Sequence, residues 1–210
     1  MRKYLEPTAL IDANNESIRK TVRATTAGEK NARQRAVQLF YFVRDQIAYN
    51  PYVPRHLPEH FRASATLASG QGFCITKAAL LVALSRAAGI PARLGFAVIR
   101  NHLIPAKLAS MLKADIIPDH GYAQLYLEGC WVKATPAFDL STCREHRIRT
   151  VEFDGVNDAT FHRRNQDGAL HIEYVKERGT YADVPIQEIT AWLAAALTRE
   201  AQRTILGREY

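Results

Sequence analysis

Residues 68–89, ASGQGFCITKAALLVALSRAAG, join a glycine-rich turn to a continuous helical pattern. The glycines of the GQG turn relieve the steric limits on a sharp bend. Leucines then recur on one stripe among alanines, which are strong helix formers, and a glycine shortly before a proline supplies a stop signal. The sequence therefore predicts a buried helix that begins near Phe73 or Cys74.

Cys74 would stand on the first turn of this helix. A thiol there meets unpaired backbone N–H groups and the positive end of the helix dipole, and both favour the thiolate. We therefore expect a Cys74 pKa below that of a free thiol, and N–H groups that could hold an oxyanion. The alternative is that Cys74 is a small buried hydrophobic residue, because free cysteine is among the most buried residue types.

Composition predicts an ordinary globular domain. The chain has 210 residues, of which 47% are hydrophobic and 23% charged, and no linker divides it, so we expect a single domain over residues 1–210. The three cysteines form no even framework, which favours a reducing compartment, the cytoplasm. The N-terminal segment lacks an apolar run, and no segment has transmembrane length. The basic residues behind the net charge of +7 are scattered, which argues against a nucleic-acid partner.

Periodicity gives the order of elements. Two helices are predicted first, and a strand, an excursion with a short helix and a hairpin follow the cysteine helix. Further strands and one long terminal helix complete the chain. The predicted ranges are 15–24 and 30–47 for the first helices, 93–99 for the strand, 104–113 for the excursion, 150–153 and 170–174 for the later strands, and 185–203 for the last helix.

The segment HGYAQLYLEGCWVKATPAFD, residues 120–139, is typical of a hairpin around Glu128-Gly129. If those two residues form the loop, paired residue numbers sum to 257 and His120 faces position 137. Because side chains alternate along a strand, Thr135 and Asp139 would then share the face of His120. Either side chain could accept a hydrogen bond from the imidazole.

These residue types together suggest acyl transfer. Such chemistry needs a nucleophile, a proton carrier with a pKa near neutrality, and a group that orients it, which would be Cys74, His120 and a residue from the next strand. Other clusters favour simpler readings. Cys143 and His146 have the types of zinc ligands but no second pair. Four further polar side chains could gather near a cleft, although a polar surface is the simpler explanation for them: Asp154, His162, His171 and Glu173.

The quoted segments resemble the core of the transglutaminase-like superfamily of papain-type cysteine enzymes. The family pattern has a GxGxC turn, a helix ending in GIPAR, a histidine opening a strand and a Trp on the next strand, and it covers about residues 36–139 here. The resemblance implies that Cys74 is the nucleophile and His120 its partner. The family's aspartate before proline is replaced by Thr135, so Asp139 or Thr135 remains open as the third member; we favour Asp139.

The sequence thus predicts an α+β, papain/transglutaminase-like fold, in which N-terminal helices and the cysteine helix pack on an antiparallel sheet. The resemblance implies thiol-dependent acyl chemistry on a peptide or protein amide through a thioester, with hydrolysis as the leading reaction and no metal or organic cofactor. Further candidates for substrate binding or the oxyanion are Gln71, Phe73 and Thr135. An amine-accepting acyltransferase and a catalytically silent binding module remain alternatives.

Overall fold

A computed structural model describes residues 1–207 of the chain. The α-helices are α1 (Glu16–Thr25), α2 (Ala32–Gln46), α3 (Ala63–Ser69), α4 (Cys74–Ala87), α5 (Ala106–Ala109), α6 (Leu140–Glu145), α7 (Ile186–Ala196) and α8 (Arg199–Leu206). The strands are β1 (Ala48–Tyr49), β2 (Gln71–Gly72), β3 (Ala92–Asn101), β4 (Ile116–Leu127), β5 (Cys130–Ala134) and β6 (Ile172–Tyr181). None of the helices in residues 1–207 is both long and apolar enough to cross a bilayer.

The cysteine helix α4 lies at the centre of the molecule. Every residue from Ile75 to Arg86 is buried, because α4 packs against β3 and β4 on one side and against α1, α2 and α3 on the others. A helix that is covered all round needs apolar residues on every face, which the leucine and alanine content of α4 supplies. The predicted α+β arrangement, with the cysteine helix packed on an antiparallel sheet, is confirmed.

The sheet has the order β5-β4-β3-β6 with antiparallel neighbours. The predicted hairpin is present: Leu127 pairs with Cys130 and Ala123 with Ala134, so paired numbers sum to 257. Its two loop residues, Glu128 and Gly129, have φ angles of 48° and 91°, as two-residue hairpin turns require. The hairpin therefore fixes which residues of β4 face α4.

Two predictions for the last third are wrong. Residues 150–153 form no strand, although Val151 and Phe153 are buried in the core. The predicted terminal helix is two helices, because α7 ends at Ala196 and the Thr198 side chain caps α8. At the break, Leu197 forms a bridge with Leu112 of the excursion between β3 and β4. A long-range pairing thus replaces one turn of helix that local periodicity favoured.

Candidate active site

Cys74 is the first residue of α4, where the GQG turn passes close to the helix. A side chain on Gly72 would clash with the Thr76 hydroxyl oxygen, so glycine suits this close approach. The Thr76 hydroxyl in turn accepts the Phe73 N–H at 3.0 Å and closes the first turn of the helix. The turn thereby holds the half-buried thiol at one position, as the sequence predicts.

Strand β4 passes close to the start of α4 at the residue that follows His120. This residue, Gly121, lies so close to α4 that a Cβ on it would be 3.0 Å from the Ile75 Cα. The backbone N–H of Gly121 favours the thiolate form of Cys74 and so lowers the thiol pKa. Cys74 and His120 both line a cavity of about 410 Å³.

Burial holds both groups in their neutral forms. It raises the pKa of Cys74 to about 11, with a further contribution from the negative charge of Asp119. Burial also lowers the pKa of His120 to about 3. The expected depressed thiol pKa is therefore wrong for the free protein, because desolvation outweighs the helix N-terminus. At neutral pH the pair is a thiol and an uncharged imidazole.

Tyr174 of β6 contacts the imidazole, although β3 lies between β6 and β4 in the sheet. Its hydroxyl oxygen lies 3.4 Å from Nε2 of His120 and accepts the Phe161 N–H at 3.3 Å. Burial raises the Tyr174 pKa to about 12, and an interaction with the Thr135 hydroxyl opposes this rise. Nδ1 of His120 has no hydrogen-bond partner within residues 1–207, so that nitrogen is free to act on another group.

Asp139 lies away from the strand face on which the sequence predicts it. Strand β5 ends at Ala134, and Asp139 instead caps α6, accepting the Thr142 N–H at 2.8 Å. Its other oxygen accepts the Tyr49 N–H at 2.6 Å. The extrapolated register fails because Pro136 cannot continue the ladder. These contacts give Asp139 a capping role and add no support for the prediction that it orients His120.

The other predicted residues divide into two groups. Phe73 and Cys74 line the cavity, whereas Gln71 is exposed and accepts the Asn50 side-chain amide at 3.0 Å outside it. The Phe73 ring lies under the guanidinium of Arg55, 4.0 Å from its centroid. Phe73 therefore shapes the site through its ring, because its N–H is already bonded to Thr76.

Two buried side chains of the cavity were missed. Asp119 is 4% exposed, and Oδ2 has no hydrogen-bond partner in the described part of the chain. Burial raises the pKa of Asp119, and the charge of Arg55 opposes this. His171, predicted to be a surface residue, is 1% exposed, and burial lowers its pKa to about 4. The sequence signal for Asp119 was its position directly before His120, and His171 was one of the polar residues that could gather near a cleft.

Lys77 was missed as well, one turn after the cysteine on α4. It is fully buried, and its ammonium group donates to the carbonyl oxygens of Arg44 at 3.1 Å and Ile47 at 2.5 Å. Burial lowers its pKa to about 7, while the charge of Asp139 opposes the shift. Lys77 thus ties the start of α4 to the end of α2.

Cys143 is buried and His146 is exposed. Within residues 1–207, no three His, Cys, Asp or Glu side chains gather as a metal site would need.

The sequence of residues 19–136, more than half of the chain, matches the Transglutaminase-like superfamily. The chain belongs to this superfamily.

Two solved structures are similar to this chain. A protein from Cytophaga hutchinsonii, provisionally named a cysteine protease, has a TM-score of 0.50 and 16% identity over 85% of this chain and 53% of its own. The periplasmic domain of TgpA from Pseudomonas aeruginosa gives a TM-score of 0.48 and 18% identity over 69% and 49% of the two chains. The chain spans about half the length of these two proteins. No curated protein matches it.

The superfamily match contains Cys74 and His120 but ends at residue 136. Tyr174 and His171, which contribute to the same cavity or to its imidazole, lie beyond that boundary. The transglutaminase-like core therefore carries the sulfur and the imidazole, while the remainder of the chain supplies part of their surroundings.

Proposed function

We propose that this protein is a thiol-dependent enzyme that cleaves an amide or peptide bond through a thioester on Cys74. The observation that supports this most is the meeting of α4 and β4: a Cβ on Gly121 would be 3.0 Å from the Ile75 Cα, and their neighbours His120 and Cys74 line the same cavity. A helix N-terminus next to the thiol adds backbone N–H donors for the oxyanion of the tetrahedral intermediate. The substrate class in this proposal is a peptide or protein amide.

The neutral state of the pair sets the order of proton transfers. When the thiol attacks the carbonyl carbon, a bond forms between sulfur and carbon and the thiol proton passes to Nδ1 of His120. That proton moves to the amine as the carbon–nitrogen bond breaks, which leaves the thioester. Water then gives a proton to His120 while its oxygen bonds to the acyl carbon. As the carbon–sulfur bond breaks, that proton passes from His120 to the sulfur, and the products are the carboxylic acid and the free thiol.

We assign the orientation of His120 to Tyr174. A tyrosine hydroxyl has one hydrogen and two lone pairs. If it accepts N–H bonds from Phe161 and from Nε2 of His120, its own hydrogen remains available to a further acceptor. The buried Thr135 hydroxyl, which has no hydrogen-bond partner in the described chain, is the candidate for that acceptor. Nδ1 then carries a lone pair, which is the form that a base acting on the thiol needs. In this assignment the uncharged side chains of Tyr174 and Thr135 take the place of the aspartate that the family resemblance implies.

A catalytically silent binding module is the second candidate. It is favoured by the uncharged state of both groups and by Thr135, which stands where the family resemblance implies an aspartate. An amine-accepting acyltransferase would use the same thioester, and the unpaired Oδ2 of Asp119 could hold the amine. Hydrolysis leads because it needs no second binding site. We place the protein in the cytoplasm on the strength of its unpaired cysteines in the described chain.

A p-nitrophenyl acetate burst tests the enzyme proposal. The protein is expected to release one equivalent of p-nitrophenol and to carry one acetyl group on Cys74, found by mass spectrometry of its peptides. Cys74→Ala and His120→Ala should abolish the burst. Cys130→Ala is the matched control, because Cys130 is an exposed thiol on the hairpin. A burst that survives Cys74→Ala, or acetylation of Cys130 alone, would contradict the proposal.

A further inference from the structure

The cavity that Cys74 lines has an apolar wall built by side chains from two distant parts of the chain. The excursion between β3 and β4 contributes Leu108, Met111 and Leu112, and the C-terminal helices contribute Leu193, Leu197 and Ile205. A volume of about 410 Å³ is within the range of roughly 300–1,000 Å³ in which small-molecule sites fall. The space therefore suits a substantial uncharged group next to the thiol.

Backbone hydrogen bonds hold these two walls together. The Lys113 N–H donates to the Ala196 carbonyl at 2.9 Å, and the Thr198 N–H donates to the Met111 carbonyl at 3.0 Å. These bonds use the break between α7 and α8, where the backbone is no longer paired within a helix. The break thus joins the excursion to the C-terminal helices and makes the wall a fixed part of the fold.

Asp119 is a polar group at the thiol end of this cavity. It is 4% exposed, and its charge acts directly on Cys74. Oδ2 lacks a hydrogen-bond partner in residues 1–207, and a buried carboxylate oxygen without a donor is costly. The N–H of a substrate amide is a donor of the right kind, and it would hold the amide against the sulfur.

We propose that the cavity binds the acyl part of the substrate, and that the substrates are amides of a bulky, uncharged, apolar acyl group. The inference rests on the proposed function of Cys74. The acyl group stays on sulfur through both halves of the reaction, whereas the amine leaves after the first. A cavity with a large apolar wall beside the thiol therefore matches the part that must be retained.

A series of esters with acyl chains of increasing length measures this preference. The rate constants for acylation by p-nitrophenyl acetate, butanoate and hexanoate are each divided by the rate for N-acetylcysteine, which removes the intrinsic reactivity of the ester. Each buried methylene is expected to raise the ratio about fourfold (~0.8 kcal/mol at ~1.4 kcal/mol per tenfold) until the cavity is filled. The hexanoate should exceed the acetate by on the order of a hundredfold. An equal ratio for all three esters would overturn the proposal.

Substitutions in the apolar wall of the cavity test whether that wall causes the preference for longer acyl chains. Leu108 is partly exposed on α5, so Leu108→Glu places a charge in the wall and should collapse the hexanoate-to-acetate ratio, while the volume-conserving Leu108→Met should keep it. Val156→Glu is the matched control, because Val156 is 52% exposed and lies outside the cavity lining. A ratio that Leu108→Glu leaves unchanged would contradict the assignment of the wall.

Binding to Cys74→Ala separates the pocket from the chemistry. Calorimetry with N-phenylhexanamide should show binding to this variant that N-phenylacetamide lacks, and Leu108→Glu should remove it. If the amide binds but the natural protein gives no burst, the proposed acyl pocket is kept and the proposed enzymatic activity is rejected. A burst with neither binding of N-phenylhexanamide nor a chain-length effect would retain the enzyme proposal and reject the acyl pocket. A preference for longer alkylamine acceptors instead of longer acyl donors would assign the cavity to the amine and overturn the proposal.

Discussion

The segment from α3 to β5 and the chain beyond it contribute to one site by different means. In residues 63–134, neighbours in sequence make the geometry: a GQG turn starts α4, and a two-residue turn sets the hairpin register. In residues 135–206, the contacts with the site come from far along the chain, as with Tyr174 and His120, 54 positions apart. Local signals therefore define the reacting atoms, and long-range packing defines what surrounds them.

The largest expected effect tests the locally defined part. Cys74→Ala or His120→Ala should lower turnover of an apolar acyl anilide by on the order of a thousandfold or more, because each residue supplies an essential group. Both positions are at the edge of a cavity, so truncation should leave the fold intact, as a thermal melt can check. Cys130→Ala should retain full turnover. Activity within about tenfold of the natural protein in either Ala variant would contradict the assigned roles.

The next effect tests the distant part. Tyr174→Phe removes only the hydroxyl, so the ring still packs against His120 while the acceptor for Nε2 is lost. We expect kcat to fall by about tenfold to a hundredfold, since a lost hydrogen bond of ~1.4–3 kcal/mol acts on the imidazole in the transition state.

A pH profile distinguishes positioning from packing for Tyr174. If the hydroxyl orients His120, Tyr174→Phe should change kcat and the acid limb of the profile with little change in KM. Phe161→Leu, which disturbs packing near the same imidazole, is the matched control. A Tyr174→Phe variant with the natural kcat and profile would show that the hydroxyl has no part in the reaction.

The sequence predicted those parts of the fold in which one local rule was enough. The start of α4 at Cys74 and the sum of 257 in the hairpin are confirmed, because glycine turns and strand alternation act over a few residues. Asp139 was placed by extending the same alternation past Pro136, where the strand has already ended. Alternation gives a face only while the ladder continues.

The missed residues share a different cause. Three polar side chains stand out only because they are buried: Lys77, Asp119 and His171. Their burial depends on elements that are far away in sequence, so the local sequence does not reveal it. Lys77 has the type expected on an exposed helix face, yet it satisfies two carbonyl groups at the end of α2. The thiol pKa was misjudged for the same reason, since the helix N-terminus is a local feature and desolvation is not.

A smaller effect is expected from removing the charge of Asp119. The labelling rate of Cys74 should increase, whereas a change that only disturbed packing has no reason to increase it. Burial is the main cause of the raised Cys74 pKa and the negative charge of Asp119 is the next, so Asp119→Asn should lower that pKa. A lower pKa increases the thiolate fraction at pH 8, so labelling of Cys74 by iodoacetamide should become faster. Glu128→Gln on the hairpin loop is the control. Slower or unchanged labelling in Asp119→Asn, measured peptide by peptide, would refute the electrostatic coupling.

The smallest expected effect concerns Asp139, where the two regions meet. If Asp139 only caps α6 and holds the Tyr49 N–H, Asp139→Ala should cost about 1–2 kcal/mol of unfolding free energy, a loss of roughly 2–8 °C in Tm, and leave kcat within about twofold. Asp139→Asn keeps a capping oxygen, so it should recover most of the stability. If the carboxylate instead orients His120, Asp139→Asn should lower kcat as strongly as Asp139→Ala while its Tm stays near that of the natural protein. Comparing Tm and kcat of the two variants therefore decides whether the charge of Asp139 or only its capping oxygen is needed, and we expect the capping oxygen alone to suffice because Tyr49 and Thr142 already occupy the carboxylate.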